Sequence, residues 1–272
     1  MNWLYRHAHS SDTAGRTWPG LRSQIRVVGA LMLRDAVARH GHENVGFFWV
    51  VGEPMLLTAG VMLMWTFSGQ GHSGDIGVVP FALTGYSYIT LWRHLINRST
   101  RAFSRNAPLL YLSPVHFFDI LVAGALLEIV SVFTAFSVVY TPLMLLGFVP
   151  VVHDPLLSIS GYLLLGWFGF AFGLIIVAWS ELSEAAEKFI QPTMYITIPA
   201  TGVFTMMDWL PGQAQKFLIW SPLVSGIEMF RGGIFSTDIP VHYNAPYLIA
   251  VNFVLTAIGL PLCRYAQRHV QI

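Results

Sequence analysis

The chain has 272 residues, 54% of them hydrophobic and only 11% charged, with 15 Lys plus Arg against 14 Asp plus Glu. Soluble domains carry about 25% charged residues, so this composition excludes a soluble enzyme or a nucleic-acid-binding module and describes a polytopic membrane protein. A single cysteine, Cys263, excludes an internal disulfide and a cysteine metal cluster.

Residues 1–21 are polar, with Ser10, Ser11, Pro19 and Gly20, and read as a cytoplasmic leader. No apolar h-region precedes Val45, so a cleaved signal peptide is not expected. In residues 22–44, Arg22, Arg26, Arg34 and Arg39 are interleaved with Ile25, Val28, Met32 and Ala36. That spacing predicts an interfacial helix on the membrane surface. Residues 45–264 then form a transmembrane domain with six predicted spans, near 46–67, 76–95, 117–140, 156–179, 189–207 and 246–263, each of bilayer-crossing length. The first holds Trp49 and a single charge, Glu53. Residues 143–152 are apolar but short and read as interfacial. Between the fifth and sixth spans, residues 208–240 are broken by Pro211, Pro222, Gly232, Gly233 and Pro240, yet 217–235 is apolar. This predicts a re-entrant segment at the outer side, covered by protein because irregular backbone cannot face lipid. Residues 265–272 are a cytoplasmic tail.

With both termini in the cytoplasm, 13 of the 15 basic residues lie inside and only Lys216 and Arg231 outside, as the positive-inside rule requires. The expected fold is all-α and polytopic, with six transmembrane helices, an N-terminal cytoplasmic interfacial helix and a periplasmic re-entrant helical segment before the last span.

The run RDAVARHGHENVGFFWVVGEP, residues 34–54, joins a basic helix, a small-residue break and an aromatic-rich span. SPLVSGIEMFRGGIF, residues 221–235, combines Ser-Pro-Leu with a Glu and an Arg. Both, in this order along this topology, resemble the type-2 ABC exporter permeases and most closely the KpsM-type capsular polysaccharide permeases, with Ser221 where Asn is more usual. The resemblance covers nearly the whole chain. It implies a homodimeric canal in the bacterial inner membrane moving lipid-linked capsular polysaccharide outward. It also implies a partner ATPase dimer, periplasmic adaptor and outer-membrane polysaccharide export proteins, and no nucleic-acid partner. Lys188 and Lys216 lack the glycines and hydroxyl of a Walker A loop, so the chain is expected to be a transport subunit without a cofactor of its own, ATP and Mg being bound by the partner ATPase. A permease for O-antigen or another lipid-linked glycan, or for small-molecule efflux, stays open as an alternative.

Several residues are candidates for the transport route. Thr193, Thr197, Thr201 and Thr205 repeat every four residues on the fifth span, joined by Tyr195, and offer hydroxyls to a sugar. Membrane threonines also bond to their own helix backbone, which is the plainer reading. Thr84, Tyr88 and Trp92 form a similar row on the second span, with Trp49 nearby in the first. Arg34, Arg39, Arg93 and Arg98 gather where a phosphate-bearing substrate is admitted, although positive-inside bias alone would also place them there. Arg101, Arg105 and Asn106 in the first inner loop, with Glu181, Glu184 and Glu187 in the second, are candidates for coupling to the ATPase. Glu228 and Arg231, three apart, read as a helix-face ion pair at an outer gate. Glu128 lies mid-span, where a carboxylate must be paired, protonated or wet. None of the ten histidines falls in a His-x-x-x-His or His-Glu-x-x-His pair, so no metal site is expected.

Overall fold

A computed structural model of the chain describes residues 17–40, 76–110, 116–235 and 240–269, with Leu56 and Gly60. The expected first span, with Trp49 and Glu53, falls almost wholly outside the described residues, as does the leader up to residue 16. The described residues are helical, without a strand: α1 (Thr17–His40), α2 (Val78–Ser99), α3 (Ala102–Arg105), α4 (Ala107–Leu110), α5 (Phe117–Leu145), α6 (Pro155–Leu182), α7 (Glu184–Thr197), α8 (Gly212–Leu218), α9 (Pro222–Ile234) and α10 (Ala245–His269), with two 3₁₀ turns, Ile198–Thr201 and Met207–Trp209.

Three of these, α5, α6 and α10, are long and apolar enough to cross a membrane, with mean hydropathies of 2.1, 2.0 and 1.8. They match the expected third, fourth and sixth spans. Local chemistry sets their ends. Asp154 caps α6 by accepting the Leu157 N–H at 3.0 Å, with Pro155 in the first turn where no N–H is missed. α5 runs five residues past the expected 140 and closes in a Schellman turn, Phe148 N–H to Leu143 O (2.9 Å) and Gly147 N–H to Met144 O (3.1 Å). Gly147 there takes the left-handed conformation, φ 78°.

α6 is the centre of the bundle. Its glycines let neighbours approach closely, as small residues do between membrane helices: Gly169 lies against Leu95 and Gly173 against Ser99 of α2, Gly166 against Ile129 of α5, and Gly161 against Phe230 of α9. α2 and α10 run parallel to α6, since Trp92 stacks on Phe168 and the Cys263 thiol donates to Leu174 O at 2.9 Å. α5 runs antiparallel, the Tyr162 hydroxyl donating to Ile129 O at 2.9 Å. α1 packs on the first turns of α5 through Leu31, Ile120 and Ala123, and the Gln24 amide reaches Asp119 at 2.5 Å. One end of the bundle therefore gathers α1, α3 and the last turns of α2, α6 and α10, with Arg34, Arg98, Arg101 and Arg105; it is called the basic end below.

The expected fifth span, 189–207, is not one helix. α7 contains Pro192 and stops at Thr197; a 3₁₀ turn follows, and Gly202 adopts φ 76°. Proline at 199 lacks the N–H that would continue the helix, and the freed carbonyls find another partner, described below. Among the described residues, the loop after α2 holds two four-residue pieces, α3 and α4, parted at Asn106.

Candidate functional site

At the basic end, Arg98 leaves the last turn of α2 and ion-pairs with Asp35 of α1, while its Nη1 stands 3.9 Å from Glu128 of α5. His94, one turn earlier, is 3.2 Å from the same carboxylate. Gly124 makes room for this crossing, because a side chain there would meet Arg98 Nε at 2.8 Å. Glu128 is thus paired rather than isolated, the bland outcome for a buried membrane carboxylate. Arg34 pairs with Asp35 (2.5 Å) and reaches Asn106 Oδ1 at 3.5 Å. The arginines read as a phosphate gate are in this way partly engaged: Arg98 and Arg34 share one aspartate. The Arg39 side chain lies outside the described residues. Arg93 points elsewhere, donating to the Tyr195 hydroxyl at 3.1 Å with its guanidinium 5.0 Å from the ring centre.

The segments that follow α2 and α6 form one platform. Glu181, on the last turn of α6, accepts Phe103 N–H (2.8 Å) and Ser104 N–H (3.0 Å) and the Ser104 hydroxyl (2.6 Å). It supplies, from another helix, the cap that α3 lacks at its own N-terminus. Arg101 precedes α3 in the left-handed conformation, φ 51°, its N–H on Ser180 Oγ at 3.0 Å and its guanidinium 2.8 Å from Glu187. Arg105 turns back onto the carbonyls of Asn97 and Thr100, and Asn106 closes α3 by donating to Ala102 O at 2.9 Å. Glu184 is exposed in the first turn of α7, which Ser183 caps. The sequence set these residues in two separate loops, and the fold brings the two loops together. That Glu181 holds α3 in place, rather than facing a partner, is decided by the packing.

Glu228 and Arg231 do not form the expected helix-face ion pair. Both are buried, at 1% and 0% exposure. Arg231 donates to the carbonyls of Val203 (2.7 Å), Gly202 (2.9 Å), Thr205 (3.4 Å) and Phe81 (3.4 Å) and to Thr84 Oγ1 (3.3 Å), and lies 3.9 Å over the Phe81 ring. Glu228 accepts the N–H groups of Met207 (3.0 Å) and His242 (3.1 Å). Three residues apart on α9, the two side chains reach different stretches of irregular backbone, because such backbone inside a bundle needs partners that no helix ladder provides. Ser221, at the start of α9, makes no side-chain cap and donates to Ala200 O at 3.4 Å.

The two rows of route candidates also divide. Thr84 and Tyr88 are buried within the single chain, the Tyr88 hydroxyl donating to Leu223 O at 2.6 Å. Trp92, 5% exposed, stacks on Phe168 (5.2 Å) and lies tilted against Phe172 (5.4 Å), and its Nε1 has no hydrogen-bond partner among the described residues. Trp92 therefore packs in the core of the single chain. Trp92→Ala should lower the unfolding midpoint sharply, by the equivalent of about 3–5 kcal/mol. Trp92→Phe should cost far less, since no hydrogen bond is lost; equal losses in thermal unfolding of the detergent-solubilised protein would contradict this packing. Thr193, Thr197 and Thr201 donate to their own backbone, at Phe189, Met194 and Ile198 (2.8, 3.0 and 2.6 Å). Since the helix ends at Thr197, the four threonines share no continuous face: Thr193 is exposed, Thr197 and Thr205 half-buried, and Thr201 buried. Among the described residues of the two rows, Thr193 and Tyr195 are the exposed members.

Asp35, His94 and Phe168 were not singled out in the sequence. An aspartate beside Arg34 in a basic helix is a readable signal for the first; nothing local marks the other two.

No family model matches the chain. Among curated proteins, it is 33% identical over 245 residues to the capsule polysaccharide export inner-membrane protein CtrC of Neisseria meningitidis serogroup B, covering 90% of this chain and 92% of that protein. It is 30% identical over 251 residues to the capsule polysaccharide export inner-membrane protein BexB of Haemophilus influenzae, 92% and 95% of the two lengths. The polysialic acid transport protein KpsM of Escherichia coli is more distant, at 25% over 254 residues, 90% and 95%. Relatedness of this extent, at 30% identity or more over 90% or more of this chain, means that the chain belongs to the family of capsule polysaccharide export inner-membrane proteins.

Proposed function

We propose that the chain is the membrane-spanning permease subunit of an ATP-driven exporter that moves lipid-linked capsular polysaccharide from the cytoplasmic to the periplasmic side. The observation that carries this is its likeness, over about nine-tenths of its length, to inner-membrane proteins named for capsule polysaccharide export. The chain works as a homodimer. Hydrolysis belongs to a separate nucleotide-binding ATPase dimer, a reading supported by the lack of a Walker A loop in the sequence. Periplasmic adaptor and outer-membrane polysaccharide export proteins continue the route. Six spans place both termini in the cytoplasm; α9 is the re-entrant segment and the basic end faces the ATPase.

Within this reading, α3 is the piece that seats on the ATPase, with Ser104 and Arg105 its exposed residues, and Glu184 and Lys188 flank it. The canal wall is the exposed surface around α7, where Thr193 on one side and Tyr195 with its Arg93 contact on another supply hydroxyl, ring and positive charge. Such a surface suits an acidic sugar chain better than an apolar drug pocket would.

The test is export by cells that lack their own capsule permease. Supplying this chain with its ATPase is expected to restore polysaccharide on the cell surface, and Tyr195→Ala to lower it several-fold while Thr201→Val does not. If the chain inserts and binds the ATPase but polysaccharide stays in the cytoplasm, the substrate class is wrong.

A further inference from the structure

We propose that the basic end of each chain holds a resident anionic glycerophospholipid in the cavity between α1, α2, α5 and α6. This cavity has a volume of about 340 Å³, within the range of small-ligand sites, about 300–1,000 Å³. Its charged lining is three arginines, Arg34, Arg98 and Arg105, against one carboxylate, Asp35. Glu128 approaches Arg98 at 3.9 Å but is not part of that lining. The cavity therefore keeps an excess of positive charge that no residue of its own wall cancels.

Arg105 spends only one nitrogen, Nη2, on backbone carbonyls; among the described residues its Nε and Nη1 carry no partner. Guanidinium groups converging from α1, α2 and the edge of α3 present the planar forks that fit phosphate oxygens. The remainder of the wall is mainly hydrocarbon, with Leu95, Leu121, Phe170 and Leu174 behind the arginines. A free phosphate would leave that wall uncovered. A phosphate carrying an acyl chain covers both halves.

α1 adds the second argument for a lipid. Ile25, Leu33 and Val37 are more than 60% exposed on a helix that packs on α5 through Val27, Val28, Leu31 and Met32, which places α1 at the boundary between headgroups and acyl chains. A ligand reaching this cavity from the side meets lipid before water. Such a lipid bridges α1 to the α3 platform through Arg34 and Arg105, completing from outside the contact that Arg34 makes to Asn106 at 3.5 Å.

The experiment uses the full chain, purified with its ATPase from cells that make no capsular glycan and titrated in detergent with phosphatidylglycerol, phosphatidylcholine or glycerol 3-phosphate. Native mass spectrometry reads the bound species. One phosphatidylglycerol per chain is expected, preferred at least tenfold over phosphatidylcholine and not displaced by an equal concentration of glycerol 3-phosphate. The double variant Arg34→Gln with Arg105→Gln should lower that binding at least tenfold. Ala38→Trp should do the same, because Ala38 lines the cavity from an exposed position on α1 where a larger side chain does not disturb the core. Elution at the size of the native complex shows that each variant is assembled. Equal binding of the neutral lipid, displacement by glycerol 3-phosphate, or full retention in assembled Ala38→Trp overturns the proposal. So does an occupant found only when the glycan is being made, which would assign the cavity to the substrate and leave the export function standing.

Discussion

Replacing Arg231 by methionine is expected to destabilise the chain by about 3–5 kcal/mol, the range seen when one member of a buried charged network is removed. The reason is the backbone around it. Pro199 and Gly202 end the helix, and the carbonyls of Gly202, Val203 and Thr205 are left inside the bundle, where Arg231 collects all three along with Phe81 O. Each buried acceptor left unsatisfied costs about 1–3 kcal/mol, so methionine fills the volume and still fails. Lysine keeps the charge on a single nitrogen and should fall between methionine and the native residue. Glu228→Gln should be much milder than Glu228→Ala, since an amide oxygen can still accept one of the two N–H groups of Met207 and His242. Thermal unfolding of the solubilised protein ranks these variants. If Arg231→Met unfolds like the native chain, Arg231 is free to act as a moving outer gate rather than as the bolt of the broken segment.

The second large effect is expected at Glu181. Glu181→Ala removes three hydrogen bonds from α3 at once, and a four-residue helix has no stability of its own. With α3 loosened, ATP hydrolysis should continue while polysaccharide export falls at least tenfold, because a floppy connector absorbs the motion it ought to transmit. Glu181→Gln keeps an acceptor for the Phe103 and Ser104 N–H groups and should lie between. Measuring hydrolysis and export on the same reconstituted complex separates outcomes: a parallel loss of both would mean that α3 is needed to bind the ATPase at all, and no loss of either would remove Glu181 from the coupling route.

Composition and periodicity by themselves determined that the chain is a helical membrane protein, and they located the starts of α5, α6 and α10 to within one residue and their ends to within about six, because about 20 apolar residues in a row have few alternatives in a bilayer. They also predicted a helix near α1, over residues 22–44 where the structure has Thr17–His40, since apolar residues at helical spacing among arginines are legible in the sequence. Tertiary structure alone decided which charges meet. Arg98 lies between Asp35 and Glu128, 63 residues before it and 30 after it in the chain, and no local pattern encodes that distance. It also decided the face each side chain presents: Trp92 turned inward onto Phe168, and the threonine row was interrupted where Pro199 and Gly202 broke the helix and a distant arginine made the break tolerable. Periodicity assumes an unbroken helix, and the carbonyls that Arg231 holds exist only because that assumption fails there.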